Sequence, residues 1–468
     1  MTGYAVGGGK IPAAPSLPGL LVVRGAVYTV GMIHLARRGW SWPAALLTGF
    51  VAQLAVGAPA AERLLQSWPA WRGPLATGVA PLADPPVEFS ETKNLKWKIK
   101  LPGSGASTPI VWSNQVFILT AIPTGKKADA SPDALEIHQF VVLCYDRATG
   151  KELWRRVAQE RAPYAGHHQD HGYASGSPVT DGEQLIAHFG SYGTYGYDLG
   201  GKLLWEKQLG VMQTRRNFGE GSSPALAGNS VVIVWDHEGD DFIVALDKRT
   251  GQELWREKRD EPTNWTTPVI VEHAGAQQVI VNGTNHVRSY ELATGKLIWE
   301  CSGQTGGAMP CPVSAKGMVY VTSGFRGSAL QAIKLGRTGD LTGTDAIVWT
   351  YKKNTPYVPS PLLYDDLFYC FAENTAVLSV FDVGSGKAVV DGERLQGISG
   401  VYASPVGAAG RVYLAGRDGN VWVIKRSPKL EVLAKNKLDD GFDASPAAVG
   451  KEMFLRGRQH LYCLAEAN

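Results

Sequence analysis

One eleven-residue phrase recurs along this chain of 468 residues and limits what the chain can fold into. It reads ALDKRTGQELW at 245–255. It returns in varied form as CYDRATGKELW (144–154), GYDLGGKLLW (196–205), SYELATGKLIW (289–299) and VFDVGSGKAVV (380–390). A second mark runs in step with it, a small residue followed by proline. It stands at Thr108-Pro109, Ser177-Pro178, Ser223-Pro224, Thr267-Pro268, Cys311-Pro312, Ser360-Pro361, Ser404-Pro405 and Ser445-Pro446. After a first gap of 69, the marks lie 41 to 49 residues apart. A period in the forties denotes a repeat architecture. Each period holds four short apolar runs parted by turn residues, and no long stretch has helical periodicity. Four antiparallel strands per unit, repeated radially, make an all-β fold: an eight-bladed β-propeller.

The parts of the phrase have separate tasks. The Thr-Gly pair is expected to turn the chain between the third and fourth strands, with Gly supplying the positive φ of a tight hairpin. The tryptophan after it offers a wide apolar surface to the next blade. Trp154, Trp205, Trp255, Trp299 and Trp349 are therefore expected to lie buried between blades. The eighth unit stops before its own Trp strand. The stretch NLKWKIKLP, with Trp97, is expected to supply it and so remove the open sheet edges. This places the propeller at 95–468, closed by an N-terminal strand, after a lead-in segment at 62–94.

Residues 1–61 carry Lys10, Arg24, Arg37 and Arg38 and no acid. From Met32, a basic head, an apolar stretch and a small-residue site ending at Ala60 read as a secretory signal preceded by an upstream extension. The apolar run is short for a bilayer span, so export to the periplasm or cell envelope is expected, by the general or the twin-arginine route. The net charge of +3 is too small to argue for nucleic acid. The five cysteines are scattered through apolar runs and read as small buried hydrophobes.

The A-x-D-x-x-T-G-x-x-x-W pattern resembles the repeat of eight-bladed quinoprotein-like propellers. WPAWRGPLATGVAP (68–81) is similar to the lead-in of exported bacterial members of that group. The resemblance covers about residues 68–468. It implies the fold, and it leaves two kinds of function open, because shared folds host unrelated sites. Catalytic members use pyrroloquinoline quinone (PQQ) with Ca²⁺, and others are cofactor-free scaffolds of the outer-membrane assembly machinery. The adjacent cysteine pair of the soluble alcohol dehydrogenases is absent here, and so is a haem-attachment motif.

The varied residues gather in loops expected to share one face: those entering the innermost strand and those between the second and third strands. Arg215, Arg216, Asn217, Asp236, Trp265, Arg326 and Arg417 are the candidates for a ligand-binding face. Arginine pairs suit anionic partners, and the register of Trp265 points it at the mouth of the central channel. His167, His168, Asp170 and His171 are candidate metal ligands, set against the plainer reading of a solvated loop. Asp236, Glu238, Asp240 and Asp241 offer oxygens to Ca²⁺ without the spacing of a calcium loop. The function expected is that of an exported, non-catalytic, monomeric propeller without a cofactor, binding an envelope protein or a small ligand. The alternative is a PQQ- and calcium-dependent dehydrogenase of an alcohol or sugar.

Overall fold

The computed structural model describes residues 57–131 and 134–466. The expected export signal lies outside them, except that a helix at Gly57–Leu65 covers its last positions. Among the described residues, no helix is long and apolar enough to cross a membrane.

Eight antiparallel sheets follow one another around a central channel. Seven have four strands drawn from consecutive sequence, at 110–161, 179–207, 225–258, 269–301, 313–351, 362–394 and 406–437. The eighth takes three strands from 447–465 and its outer strand from Leu95–Lys100, with Trp97 opposite Cys463. The closing seam carries more than backbone pairing. Glu452 of blade 8 accepts from Lys96 (2.6 Å) and from Arg147 of blade 1 (2.5 Å). Arg456, fully buried, donates to the carbonyls of Ser107 and Leu119 in blade 1.

The repeated phrase acquires a mechanism. The Asp opens a turn whose Thr donates both its N–H and its hydroxyl back to the carboxylate, as with Thr149 on Asp146 and Thr250 on Asp247. The turn glycine then meets the tryptophan of the preceding blade. A Cβ on Gly150, Gly201, Gly251, Gly295 or Gly386 would lie 2.5–2.9 Å from the indole of Trp97, Trp154, Trp205, Trp255 or Trp349. Their φ values, +69° to +83°, disfavour a side chain as well. Each of these indoles donates Nε1–H to a carbonyl of the same turn: Arg147, Leu199, Lys248, Leu292 and Val383. Trp97, Trp205, Trp255 and Trp299 are buried, whereas Trp154 and Trp349 are half-buried. Trp299 departs from the rule. The turn it would meet is lengthened by 336–345, which lays Gly339–Asp340 alongside the outer strand of blade 4, and its Nε1 approaches Gln278 instead.

The small residue before each proline also has a task. Its N–H donates to the hydroxyl of the same residue one blade on: Thr108 to Ser177, Ser177 to Ser223, Ser223 to Thr267, Cys311 to Ser360, Ser360 to Ser404 and Ser404 to Ser445. Ser445 donates to Thr108 (3.2 Å) and closes the circle. This belt of side chains links neighbouring blades next to the channel. It is broken once among the described residues, between Thr267 and Cys311, where a thiol replaces the hydroxyl.

The lead-in segment crosses beneath the belt. Trp68 bridges Val111 of blade 1, and Pro69 accepts from Thr180 of blade 2. Thr77 accepts from Leu363 of blade 6, and Val79–Ala80 pairs in parallel with the innermost strand of blade 7. Arg72 is buried without a carboxylate and donates to the carbonyls of Pro361 and Pro405. Burial lowers its pKa to about 10. All five cysteines are buried and free.

Candidate functional site

The residue two positions before each small residue of the belt points to the axis. These eight, one per blade, are Ala106, Ser175, Gly221, Trp265, Met309, Val358, Tyr402 and Asp443, and together they form a collar around a funnel of about 390 Å³. Trp71 of the lead-in segment closes the funnel below. It also lines the groove on the other side of the channel, and its Nε1 donates to Ser445 Oγ (3.2 Å). Phe218, Phe325 and Tyr357 complete an aromatic wall, the last two stacked with centroids 4.9 Å apart. Trp265 is fixed by its Nε1 donating to Gly219 O (2.8 Å).

The polar side of the funnel belongs to blades 2, 7 and 8. Asp170 accepts from Arg417 (2.8 Å) and from the hydroxyl of Tyr402 (3.3 Å). Arg417 lies over the Tyr402 ring, 4.2 Å from its centroid. Its Nε makes an ion contact with Asp443 at 2.6 Å, off the hydrogen-bond direction. Arg458 also binds Asp443 (2.9 Å). The hydrogen bond from Arg417 holds the Asp170 carboxyl below the usual range. His171 lines the wall. Burial lowers its pKa to about 4, so it is neutral at ordinary pH.

Three of the four expected metal ligands share one wall. His168 and His171 line the funnel with Asp170, but Asp170 is spent on Arg417, and His167 turns to the His168 carbonyl and the Tyr173 ring. Among the described residues, one group of three potential ligands exists elsewhere: Asp260, Glu261 and His286. Arg288 sits among them, 2.5 Å from Asp260 and 3.3 Å from Glu261, so a cation already satisfies the cluster.

Asp236 is also a correction. It lies fully buried in a two-pronged ion pair with Arg259 (2.6 and 3.1 Å), away from the exposed face. Burial pushes its pKa up to about 6 against the pull of Arg259. Asp241 accepts from the Glu261 N–H, and Glu238 from Thr263, so Asp236, Glu238 and Asp241 are engaged in holding loops. Asp236 and Glu220 border a small cavity of about 40 Å³ beside the funnel. Glu220 accepts from the N–H and hydroxyl of Ser191, and burial raises its pKa to about 7.

The remaining candidates stand on the other side of the funnel. Arg216 lines it. Arg215, Arg216 and Arg326 fringe an adjoining hollow shared with Phe218, Trp265, Phe325 and Tyr357. Asn217 is exposed beside them, and Arg216, Asn217 and Arg326 all have positive φ. Trp71, Tyr357 and Tyr402 are wall residues that sequence reasoning did not single out. Tyr402 shares the register that pointed to Trp265, and Trp71 lay within a stretch read only as a mark of kinship.

A family model described as outer membrane protein assembly factor BamB matches residues 87–240 and 239–468. No curated protein matches the sequence significantly. The fold is similar to that of BamB from Moraxella catarrhalis (12% identity, TM-score 0.55), a match covering 79% of this chain and 99% of that one. It is similar to the quinohemoprotein alcohol dehydrogenase of Comamonas testosteroni (11% identity, TM-score 0.62), covering 88% and 84%. It is also similar to a europium-containing methanol dehydrogenase (10% identity, TM-score 0.59), covering 86% and 99%. At such identities the solved structures share the fold alone with this chain.

Proposed function

The chain belongs to the family of outer membrane protein assembly factor BamB, and from that premise we propose a non-catalytic binding role in the cell envelope, with the central funnel seating a small ligand. The observation that carries this reading is the funnel itself, walled by aromatic rings and closed by Trp71. Concave, largely apolar hollows with a few fixed polar groups suit small ligands. The family description and the expected export signal support an envelope location.

The dehydrogenase alternative needs several oxygen donors free to converge on Ca²⁺, and a free carboxylate to act as base. Both carboxylates on the funnel wall, Asp170 and Asp443, are engaged by arginines. Arg216 adds another positive charge to the wall. This donor set does not fit a calcium–quinone pair.

Two measurements test the reading. Small molecules from an envelope extract, passed over immobilised protein, should be retained. Retention should be lost in a Trp265→Ala/Tyr402→Ala variant that melts normally. Retention of a protein and no small molecule would replace the funnel with a docking face. Offered PQQ, Ca²⁺ and an alcohol or sugar, the protein should reduce no dye; reduction abolished by Asp170→Asn would overturn the non-catalytic reading.

A further inference from the structure

The funnel is electrostatically lopsided. On the side of blades 7 and 8, Arg417 and Arg458 are neutralised by Asp170 and Asp443. On the opposite side, Arg215, Arg216 and Arg326 have no carboxylate partner among the described residues. Glu238, an acid of the neighbouring loop, accepts from the N–H and hydroxyl of Thr263. Arg326 rests over the Phe325 ring at 5.2 Å. The charge of Arg215 reaches Tyr357, where it opposes the burial that raises the pKa of that phenol.

These three arginines surround the side hollow, of about 40 Å³, which has room for one small group. The hollow and the funnel share Arg216, Phe218, Trp265, Phe325 and Tyr357, so they lie side by side. The larger presents ring faces. The smaller is bordered by Arg215, Arg216 and Arg326; guanidinium groups bind carboxylate and phosphate oxygens through paired N–H donors.

Resting on the reading of the funnel as a ligand site, we propose that the ligand is a small ring-bearing organic acid. Its flat face stacks between Trp265 and the aromatic wall, and its anionic group lies in the hollow among Arg215, Arg216 and Arg326. An aromatic acid and a uronic acid share this chemistry, since a sugar ring also offers a flat C–H face to an indole.

The test uses the whole chain and four probes: indole-3-acetate, its neutral amide, galacturonate and galactose. Binding is followed by calorimetry and by quenching of tryptophan fluorescence. One of the two acids should bind about tenfold or more tightly than its neutral counterpart, as charge-assisted hydrogen bonds imply, and the preference should shrink as salt rises. Which acid wins identifies the source. The variant Arg215→Ala/Arg216→Ala/Arg326→Ala should lose the preference for acid over neutral probe while keeping its melting temperature. Equal binding of acid and neutral probe, quenched alike and lost in Trp265→Ala, would overturn the inference and leave the funnel reading standing. Retained preference in the triple variant would place the anion elsewhere and also overturn it. Failure of both acids to bind would overturn it too, leaving the funnel to the extract experiment above.

Discussion

The belt of hydroxyls around the channel makes a two-sided prediction. Ser404 is buried and its Oγ receives the N–H of Ser360 (2.9 Å). Ser404→Ala leaves that buried donor without its acceptor, at a cost of about 1–3 kcal/mol. Cys311→Ser does the reverse. It places a hydroxyl where the belt is broken, within reach of the Thr267 N–H if the local geometry repeats that of the other blades. A completed bond should then add about 0.5–1.5 kcal/mol. With an unfolding entropy of ~2 cal/mol/K per residue, a domain of this size shifts its melting point by about 1 °C per kcal/mol. Scanning calorimetry at one fixed scan rate should therefore find Ser404→Ala lower by about 1–4 °C and Cys311→Ser higher by about 0.5–2 °C. Cys311→Ala is the control, since it removes the thiol without supplying a hydroxyl and should not rise. If Cys311→Ala rose as far as Cys311→Ser, the gain would come from losing the thiol. If Ser404→Ala melted like the parent, the belt would be a geometric coincidence of the fold without energetic weight.

Three further outcomes are expected. Trp255→Ala should cost about 3–5 kcal/mol as a large buried aromatic, and Gly295→Ala should destabilise through the same contact, because its Cβ would lie 2.6 Å from that indole; denaturant midpoints check both. Deleting Leu95–Lys100 should prevent a cooperative melt, since blade 8 then loses its outer strand; an unchanged calorimetric transition would refute closure by that strand. Glu220 and His188 should give stability opposite slopes in pH. Burial raises the folded pKa of Glu220 to about 7, so its contribution falls as pH rises from about 4.5 to 7. Burial lowers that of His188 to about 4, so its contribution is lost as pH falls from about 6.5 to 4. Relative to the parent, Glu220→Gln should gain melting temperature toward pH 7 and His188→Gln toward pH 4.5; parallel pH profiles would refute both.

The fold was legible because the sequence repeats its instructions. The small-Pro marks numbered the blades, and the missing Trp strand of the last unit pointed to Trp97. The site was legible only where a residue's register could be counted. Counting two back from Thr267 found Trp265. The same count applied to every mark yields the whole collar, Tyr402 and Asp443 included, because a repeat fixes direction as well as position. Asp236 could not be placed this way. Its loop position suggested exposure, but its partner Arg259 arrives from the end of another strand, and such pairing is set by tertiary packing. The pairing of Asp170 in the histidine loop was hidden for a similar reason: its arginine comes from 247 residues further along the chain.

The lead-in segment has a consequence for the order of folding. Residues 77–80 and 95–100 find their partners in blades 6, 7 and 8, at the far end of the chain. Blades 2 to 6 draw all four strands from neighbouring sequence and can form as they are made. The floor under the funnel and the weld of the ring cannot. Pairings this distant in sequence are slow to close, and until they do, the outermost strand of blade 8 and the channel beneath the belt stay open. A chain cut short between residues 437 and 447 would hold a row of blades with no ring and no complete funnel. The funnel is thus the last part of the molecule to be completed.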